Sequence, residues 1–219
     1  MKILICISSK SPNSFLYRCI ENLYKIQIED SNDYKICIID SNSDDISCYD
    51  IIIKDFPDVE IYFIKNLNWE YGAWVHSYIK YPMYDIYFCI QDSLIIKKKL
   101  DINIVNNNNS CIFYHESGYN SHIWIKQKGL ENLKNSNFNN EEQNNIINII
   151  HTDFTVAQYS SFIVTNYIIQ NLFNTLRILP YDKDGSCFFE RNIGIFFIIK
   201  KLNTFNIQEY FDKFYSNRP

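Results

Sequence analysis

A chain of 219 residues that is 47% hydrophobic and 16% aromatic can bury roughly 70% of its unfolded surface in a single core, without disulfides or a structural metal, which argues against disorder. Its formal net charge of −4, from 21 basic and 25 acidic residues, leaves no broad positive field for phosphate backbones, so nucleic acid is not the expected ligand. Seven cysteines make an odd count with no Cys-x-x-Cys pair, and Cys6, Cys37 and Cys89 each fall inside an apolar run, which points to a reducing, cytoplasmic setting. No run approaches 18 apolar residues and no leader-like segment opens the chain, so a soluble protein without a transmembrane segment is expected.

Lys2 to Ile7 reads as a first strand, followed by a turn cluster from Ser8 to Ser14 that can cap a helix. Phe15, Leu16, Cys19, Ile20, Leu23 and Ile26 recur at threes and fours, the stripe of a helix lying on a sheet. A second strand, Tyr34 to Ile39, ends in the polar turn Asp40-Ser41-Asn42-Ser43-Asp44-Asp45, which offers caps to a segment from Ile46 to Lys54. Val59 to Ile64 is a third strand, and Asn66 to Trp74 leads into a helix that runs to about Lys80. Tyr84 to Ile96 is a buried strand that breaks at Asp92 and resumes. Its apolar, β-branched and aromatic residues fit a strand covered on both faces. This alternation predicts an α/β domain with a mixed, mostly parallel central sheet flanked by helices.

Beyond residue 100 the pattern is looser. Cys111 to Tyr114 and His122 to Ile125 read as short strands, and Asn135 to Asn145 as a surface connection with Glu141 and Glu142 opening a helix that ends near Ile150. Ser160 to Thr165 reads as a strand, Tyr167 to Leu176 as a helix, Ser186 to Leu202 as a long buried helix, and Ile207 to Phe214 as a final amphipathic piece. We expect one domain over 1–219, with a nucleotide-binding half (1–100) and an acceptor and catalytic half (101–219).

Four stretches, in order, carry a resemblance. Ile38-Ile39-Asp40-Ser41-Asn42-Ser43-Asp44, Asn66 with Gly72-Ala73, Tyr84-Asp85 with Gln91-Asp92-Ser93, and Pro180 through Glu190-Arg191-Asn192-Ile193-Gly194-Ile195 together resemble the nucleotide-sugar-dependent glycosyltransferases of GT-A (Rossmann-like) fold, the family-two-like group in particular. The resemblance implies transfer of a sugar from a nucleoside-diphosphate donor to a glycan, protein or lipid acceptor, with the Asp40 loop at the base and ribose and Gln91-Asp92-Ser93 in the place of the family's Asp-x-Asp motif. That motif usually holds Mn²⁺ or Mg²⁺ with two carboxylates. Here Asp92 is the only one, which makes it the metal candidate and puts metal dependence in question.

The chemistry assigns roles to the same residues. Ser8, beside Asp40 across a parallel sheet, joins Asp40, Ser43 and Asp44 as donor contacts, with Gln91, Asp92 and Ser93 at the floor, because ligands of open α/β sheets sit at the carboxyl ends of the strands. An acceptor hydroxyl needs a general base, and Glu190, early in a predicted helix, leads Asp182 and, more weakly, Asp153. Trp69, Tyr71 and Trp74 are platform candidates for a sugar's C–H face, with Trp69, in a polar loop, the foremost. The histidines show no metalloprotease or zinc-ribbon spacing, and the chain has no glycine-rich phosphate loop. The incomplete metal motif leaves a second reading open, a non-catalytic descendant of the same fold kept as a carbohydrate-binding or assembly module.

Overall fold

Strand β1 (Lys2–Ser9) sets the architecture, because its residues from Ile3 to Ile7 are all buried and must be covered from both sides. In the computed structural model, which describes residues 1–28 and 33–214, β1 is the third strand of a seven-stranded sheet. Its other strands are β2 (Asp33–Asp40), β3 (Glu60–Phe63), β4 (Ile86–Gln91), and, after the short β5 (Leu94–Ile96), β6 (Asn109–Glu116), β7 (Thr155–Thr165) and β8 (Asn203–Asn206). Their order is β3-β2-β1-β4-β7-β6-β8. β1 to β4 are mutually parallel, β6 and β8 are parallel to each other, and β7 alone runs against its neighbours. A final strand, β9 (Phe211–Lys213), pairs with β5 in a separate two-stranded ribbon.

Alternation along β1 feeds two cores. Ile3, Ile5 and Ile7 face Leu16, Cys19 and Ile20 of α1 (Ser14–Asn22) and Tyr49 and Ile52 of α2 (Cys48–Asp55). Leu4 and Cys6 face the opposite layer of α3 (Trp69–Lys80), α4 (Ile123–Lys134), α5 (Asn140–Ile149), α6 (Asn166–Thr175) and α7 (Lys183–Ile199). Cys37, Cys6 and Cys89 lie side by side across β2, β1 and β4 as buried thiols, and all seven cysteines are free. No helix of the described residues is long and apolar enough to cross a membrane.

The first hundred residues follow the sequence expectation, including the break after β4, where the chain leaves the main sheet. Three later expectations are corrected. His122 to Ile125 is not a strand: it opens α4, whose buried Ile125, Gly129, Asn132 and Leu133 repeat at helical spacing that the three-residue run Ile-Trp-Ile is too short to reveal. Ile207 to Phe214 is a short helical turn followed by β9, and β8 is Asn203–Asn206, whose single apolar residue, the exposed Phe205, gives no strand pattern. The strand read at Ser160 begins five residues earlier, because a wide bulge interrupts β7: Tyr159 and Ser160 take successive left-handed conformations (φ 58° and 48°) opposite the register shift between Ile112 and Tyr114.

Candidate functional site

The loops that leave the carboxyl ends of β1, β2 and β4 are tied to one another by their own polar side chains. Ser8 pairs with Gln91 and Ser9 with Asp40 across the sheet. The Asp40 carboxylate accepts from the Ser43 amide (2.8 Å), the Ser43 hydroxyl (2.7 Å) and the Tyr49 hydroxyl (2.6 Å), and Ser43 Oγ in turn accepts from the Ser11 amide at 2.7 Å. Asp40 is fully buried and stands behind the site as a fastener of its loop. Asp40→Asn, which keeps one acceptor oxygen and loses the charge, is expected to cost about 1–3 kcal/mol in urea unfolding.

Asn66 performs the same task for the β3–α3 connection, donating to Ser41 Oγ (3.0 Å) and Trp69 O (2.7 Å) while accepting from the Asn68 amide (2.9 Å). Gly72 is required by this fold-back: a Cβ there would stand 2.2 Å from Asn66 Oδ1. The Asn66…Gly72 spacing thus has a direct steric reason.

Two adjoining cavities result. One, of about 200 Å³, lies over the strand ends and is lined by Ser8, Ser41, Asn66, Asp92, Tyr181 and Asp182, with the exposed Leu67 and Tyr181 at its rim. The second, of about 720 Å³, extends past Ser93, Tyr159, Lys183, Ser186, Glu190 and Lys213. Lys10, Trp69, Glu70 and Gln91 border both.

Asp92, 4% exposed, is anchored by its amide to Ser8 O (3.1 Å) and accepts from Ser9 Oγ at 2.9 Å. Gln91 bridges the cleft: its Nε2 donates to Glu70 Oε1 (2.6 Å) and its Oε1 accepts from Lys213 Nζ (2.5 Å). Glu190 reaches the cleft from α7, where Tyr159 of the β7 bulge donates its amide to Oε1 at 2.8 Å. Burial raises the Glu190 pKa to about 7, and the charge of Glu70 adds to the rise. Arg191, the Tyr159 amide and Lys183 pull the other way. Gly194 lets α7 approach β7 this closely, since a Cβ there would meet Thr155 O at 2.2 Å. The neighbouring Arg191 is a buried structural cation, donating to Gly118 O (2.9 Å) and Cys187 O (2.7 Å).

The structure therefore brings Ser8, Gln91, Asp92, Ser93, Trp69, Asp182 and Glu190 to one pair of cavities and leaves other candidates outside it. Asp182 is the N-cap of α7, accepting from the Gly185 amide at 2.7 Å, with Lys128 at 3.7 Å. Asp153 is exposed, takes a bond from Asn120 (2.6 Å) and borders neither cavity, so it is withdrawn as a base. Asp40, Ser43 and Asp44 border neither cavity; Asp44 is exposed, and the other two hold the loop together. Tyr71 and Trp74 are corrected to core residues: the Tyr71 hydroxyl donates to Leu176 O (3.1 Å) and Trp74 Nε1 to Ser160 O (3.0 Å). Trp69 alone keeps its face near the cleft, with Lys183 Nζ 4.9 Å from its ring centre.

Glu70 and Lys213 are functional candidates that sequence reasoning passed over. Glu70 carries a recognisable signal, an acid in the first turn of a helix that starts at the carboxyl edge of the sheet. Lys213 carries none, because only the β5–β9 pairing brings it to the cleft.

No protein-family model matches the sequence, and no curated protein sequence matches it. Among solved structures the chain is similar to S. aureus TarS (TM-score 0.56, 9% identity, covering 96% of this chain and 36% of that one) and to TarS 1-349 in complex with UDP (TM-score 0.56, 8% identity, 96% and 60%). It is also similar to the mannosyltransferase PcManGT from Pyrobaculum calidifontis in complex with GDP-Man and Mn²⁺ (TM-score 0.51, 7% identity, 94% and 54%). The chain thus spans between about a third and three fifths of the lengths of these structures, and at such identities the likeness is one of fold. Strand order, a polar crevice at the carboxyl edge and this likeness together show that the chain has the GT-A-type fold of the nucleotide-sugar glycosyltransferases.

Proposed function

We propose that the protein is a glycosyltransferase that moves a sugar from a nucleoside-diphosphate donor to an acceptor hydroxyl in a single inverting displacement, with Glu190 as general base. The observation that carries this reading is a carboxylate with a pKa of about 7 facing a cleft that also presents Lys10, Lys183 and Lys213. Such a site can both accept a proton at neutral pH and receive a leaving group that gains negative charge.

In this reading the donor enters the smaller cavity, with its base and ribose near Ser8, Ser41 and Asn66 and its diphosphate toward Gln91, Asp92 and the Ser93 of the adjoining cavity. The acceptor, a glycan, protein or lipid hydroxyl, occupies the larger cleft. Its oxygen forms a bond to the anomeric carbon as the bond from that carbon to the phosphate oxygen breaks, and its proton passes to Glu190. Trp69 offers its ring to the sugar's C–H face. The first hundred residues supply most of the smaller cavity, and the larger draws Tyr159, Lys183 and Glu190 from the second half, while Lys213, bonded to the Gln91 that borders both cavities, stands where the two adjoin.

The protein's own side chains do not enclose a divalent cation: with Asp92 the one carboxylate of its segment, such an ion would be held chiefly by the donor's phosphates. Among the described residues no three His, Cys, Asp or Glu side chains come together as a ligand group, and Asp92 stands between a glutamine and a serine. No step is therefore assigned to a metal, and Asp92 is read as a positioning carboxylate rather than a metal ligand.

Incubation of the purified protein with UDP-, GDP- and dTDP-sugars tests the proposal. Release of nucleoside diphosphate above the spontaneous rate is expected for one of the three. Binding without turnover would point to a carbohydrate-binding module, and no binding at millimolar nucleotide would end the donor-site reading.

A further inference from the structure

A diphosphate leaving group needs positive charge beside it, and among the described residues no three His, Cys, Asp or Glu side chains gather as a cation site. Of the lysines that border the larger cavity, Lys10 is exposed at the rim and Lys183 lies over Trp69, whereas Lys213 reaches the floor. Its Nζ lies 2.5 Å from Gln91 Oε1, 2.5 Å from Ser93 Oγ and 4.3 Å from the centre of the Tyr159 ring. The ammonium is thus held by the two side chains that flank Asp92.

The chain fastens it there. β9 pairs with β5 immediately after that segment, Leu94 opposite Lys213 and Ile96 opposite Phe211, and the Phe214 amide donates to Ser93 O at 3.0 Å. Phe211 is buried, Phe214 stacks on Phe15 with ring centres 5.1 Å apart, and Lys97 pairs with Asp212 at 2.7 Å. Lys97 and Lys98 therefore serve this β5–β9 strap itself, with Lys98 on Glu209 at 2.9 Å.

Accepting the donor-site reading above, we infer that Lys213 is the cation that receives the donor's diphosphate, so that nucleotide binding does not require a divalent metal. A charged phosphate oxygen is a stronger acceptor than the neutral amide and hydroxyl oxygens of Gln91 and Ser93, and takes over one of their positions on the ammonium. Lys213 is thereby a specificity element for the diphosphate, delivered to the donor site by the strand that follows the last helix.

Calorimetric titration with UDP and with GDP, in EDTA and in Mn²⁺, tests this. Wild-type affinity is expected to be equal within about threefold in the two conditions. Lys213→Met is expected to weaken nucleoside-diphosphate binding about tenfold or more, equivalent to about 1.4 kcal/mol. Uridine or guanosine should bind the variant as it binds wild type, and Lys213→Arg should keep most of the affinity. An unchanged urea midpoint in Lys213→Met confirms that the strap is in place, and the Arg variant preserves the test if the Met variant unfolds. Nucleotide binding that appears only with Mn²⁺, or a Met variant that is folded and binds UDP and GDP like wild type, overturns the inference alone. Failure of wild-type protein to bind any nucleotide or nucleoside, with metal or without, overturns the donor-site reading and the inference with it.

Discussion

Replacing Glu190 by Gln is expected to lower kcat by about 10²–10⁴-fold with nucleotide affinity little changed. Gln keeps an oxygen for the Tyr159 amide and fills the same space, so what is lost is the ability to take a proton. Because the Glu190 pKa lies at about 7, wild-type turnover should rise as pH passes through about 7 and level off above it. Part of that elevation comes from the charge of Glu70, so Glu70→Gln should move the rise to lower pH, while burial keeps it above the ordinary carboxylate range. The stability consequence has the opposite sense. A carboxyl whose pKa is raised on folding stabilises the native state while protonated, and that contribution is lost as pH climbs from about 4.5 to about 7. Above this window the ionised group costs on the order of 3 kcal/mol, so Glu190→Gln should unfold at higher urea concentration than wild type at pH 8 and show little advantage at pH 4. A variant that retains wild-type kcat, or a pH profile that Glu70→Gln leaves in place, would remove Glu190 from the role of base.

The parts of this architecture that were legible in the sequence are those in which one physical demand dominates. Ile3 to Ile7 and Ile86 to Ile90 must be buried on both faces, which dictates central strands, and a carboxylate following such a strand marks the edge where ligands gather. Glu190 was legible as an acid near the start of a long helix. What was not legible depends on contacts between distant segments. The ring of Trp74 and that of Trp69 sit five residues apart in one stretch, and only the left-handed turn at Trp69 (φ 54°) and the path of α3 decide that one faces the cleft and the other the core. Asp40 carries the residue type of a ligand contact and of a loop fastener alike. Ser43 bonds to it within the same turn, and Tyr49, whose bond helps to decide between the two, comes into reach only when α2 folds back. The β7 bulge has no glycine to announce it, and Lys213 acquires its place from a strand pairing more than a hundred residues long in sequence separation.

Trp74→Ala is expected to destabilise the fold by about 3–5 kcal/mol, the largest stability effect predicted for this chain. The side chain is fully buried in the core between the sheet and α7, and truncation leaves a cavity that the close-packed surroundings cannot fill. It also removes the indole N–H that holds Ser160 O, the carbonyl at the turn of the β7 bulge. Since the amide one residue earlier, at Tyr159, fixes Glu190, the loss should pass from packing into catalysis: under conditions in which the variant remains folded, kcat should fall while the affinity for nucleoside diphosphate persists. Trp74→Phe separates the two contributions, keeping most of the apolar volume and losing the hydrogen bond, at an expected cost of about 1–3 kcal/mol. A sugar platform would behave in the reverse manner. If Trp74→Ala left the urea midpoint unchanged and raised KM for the sugar donor instead, the indole would have to face the ligand, and the link from α3 through the bulge to Glu190 would be broken.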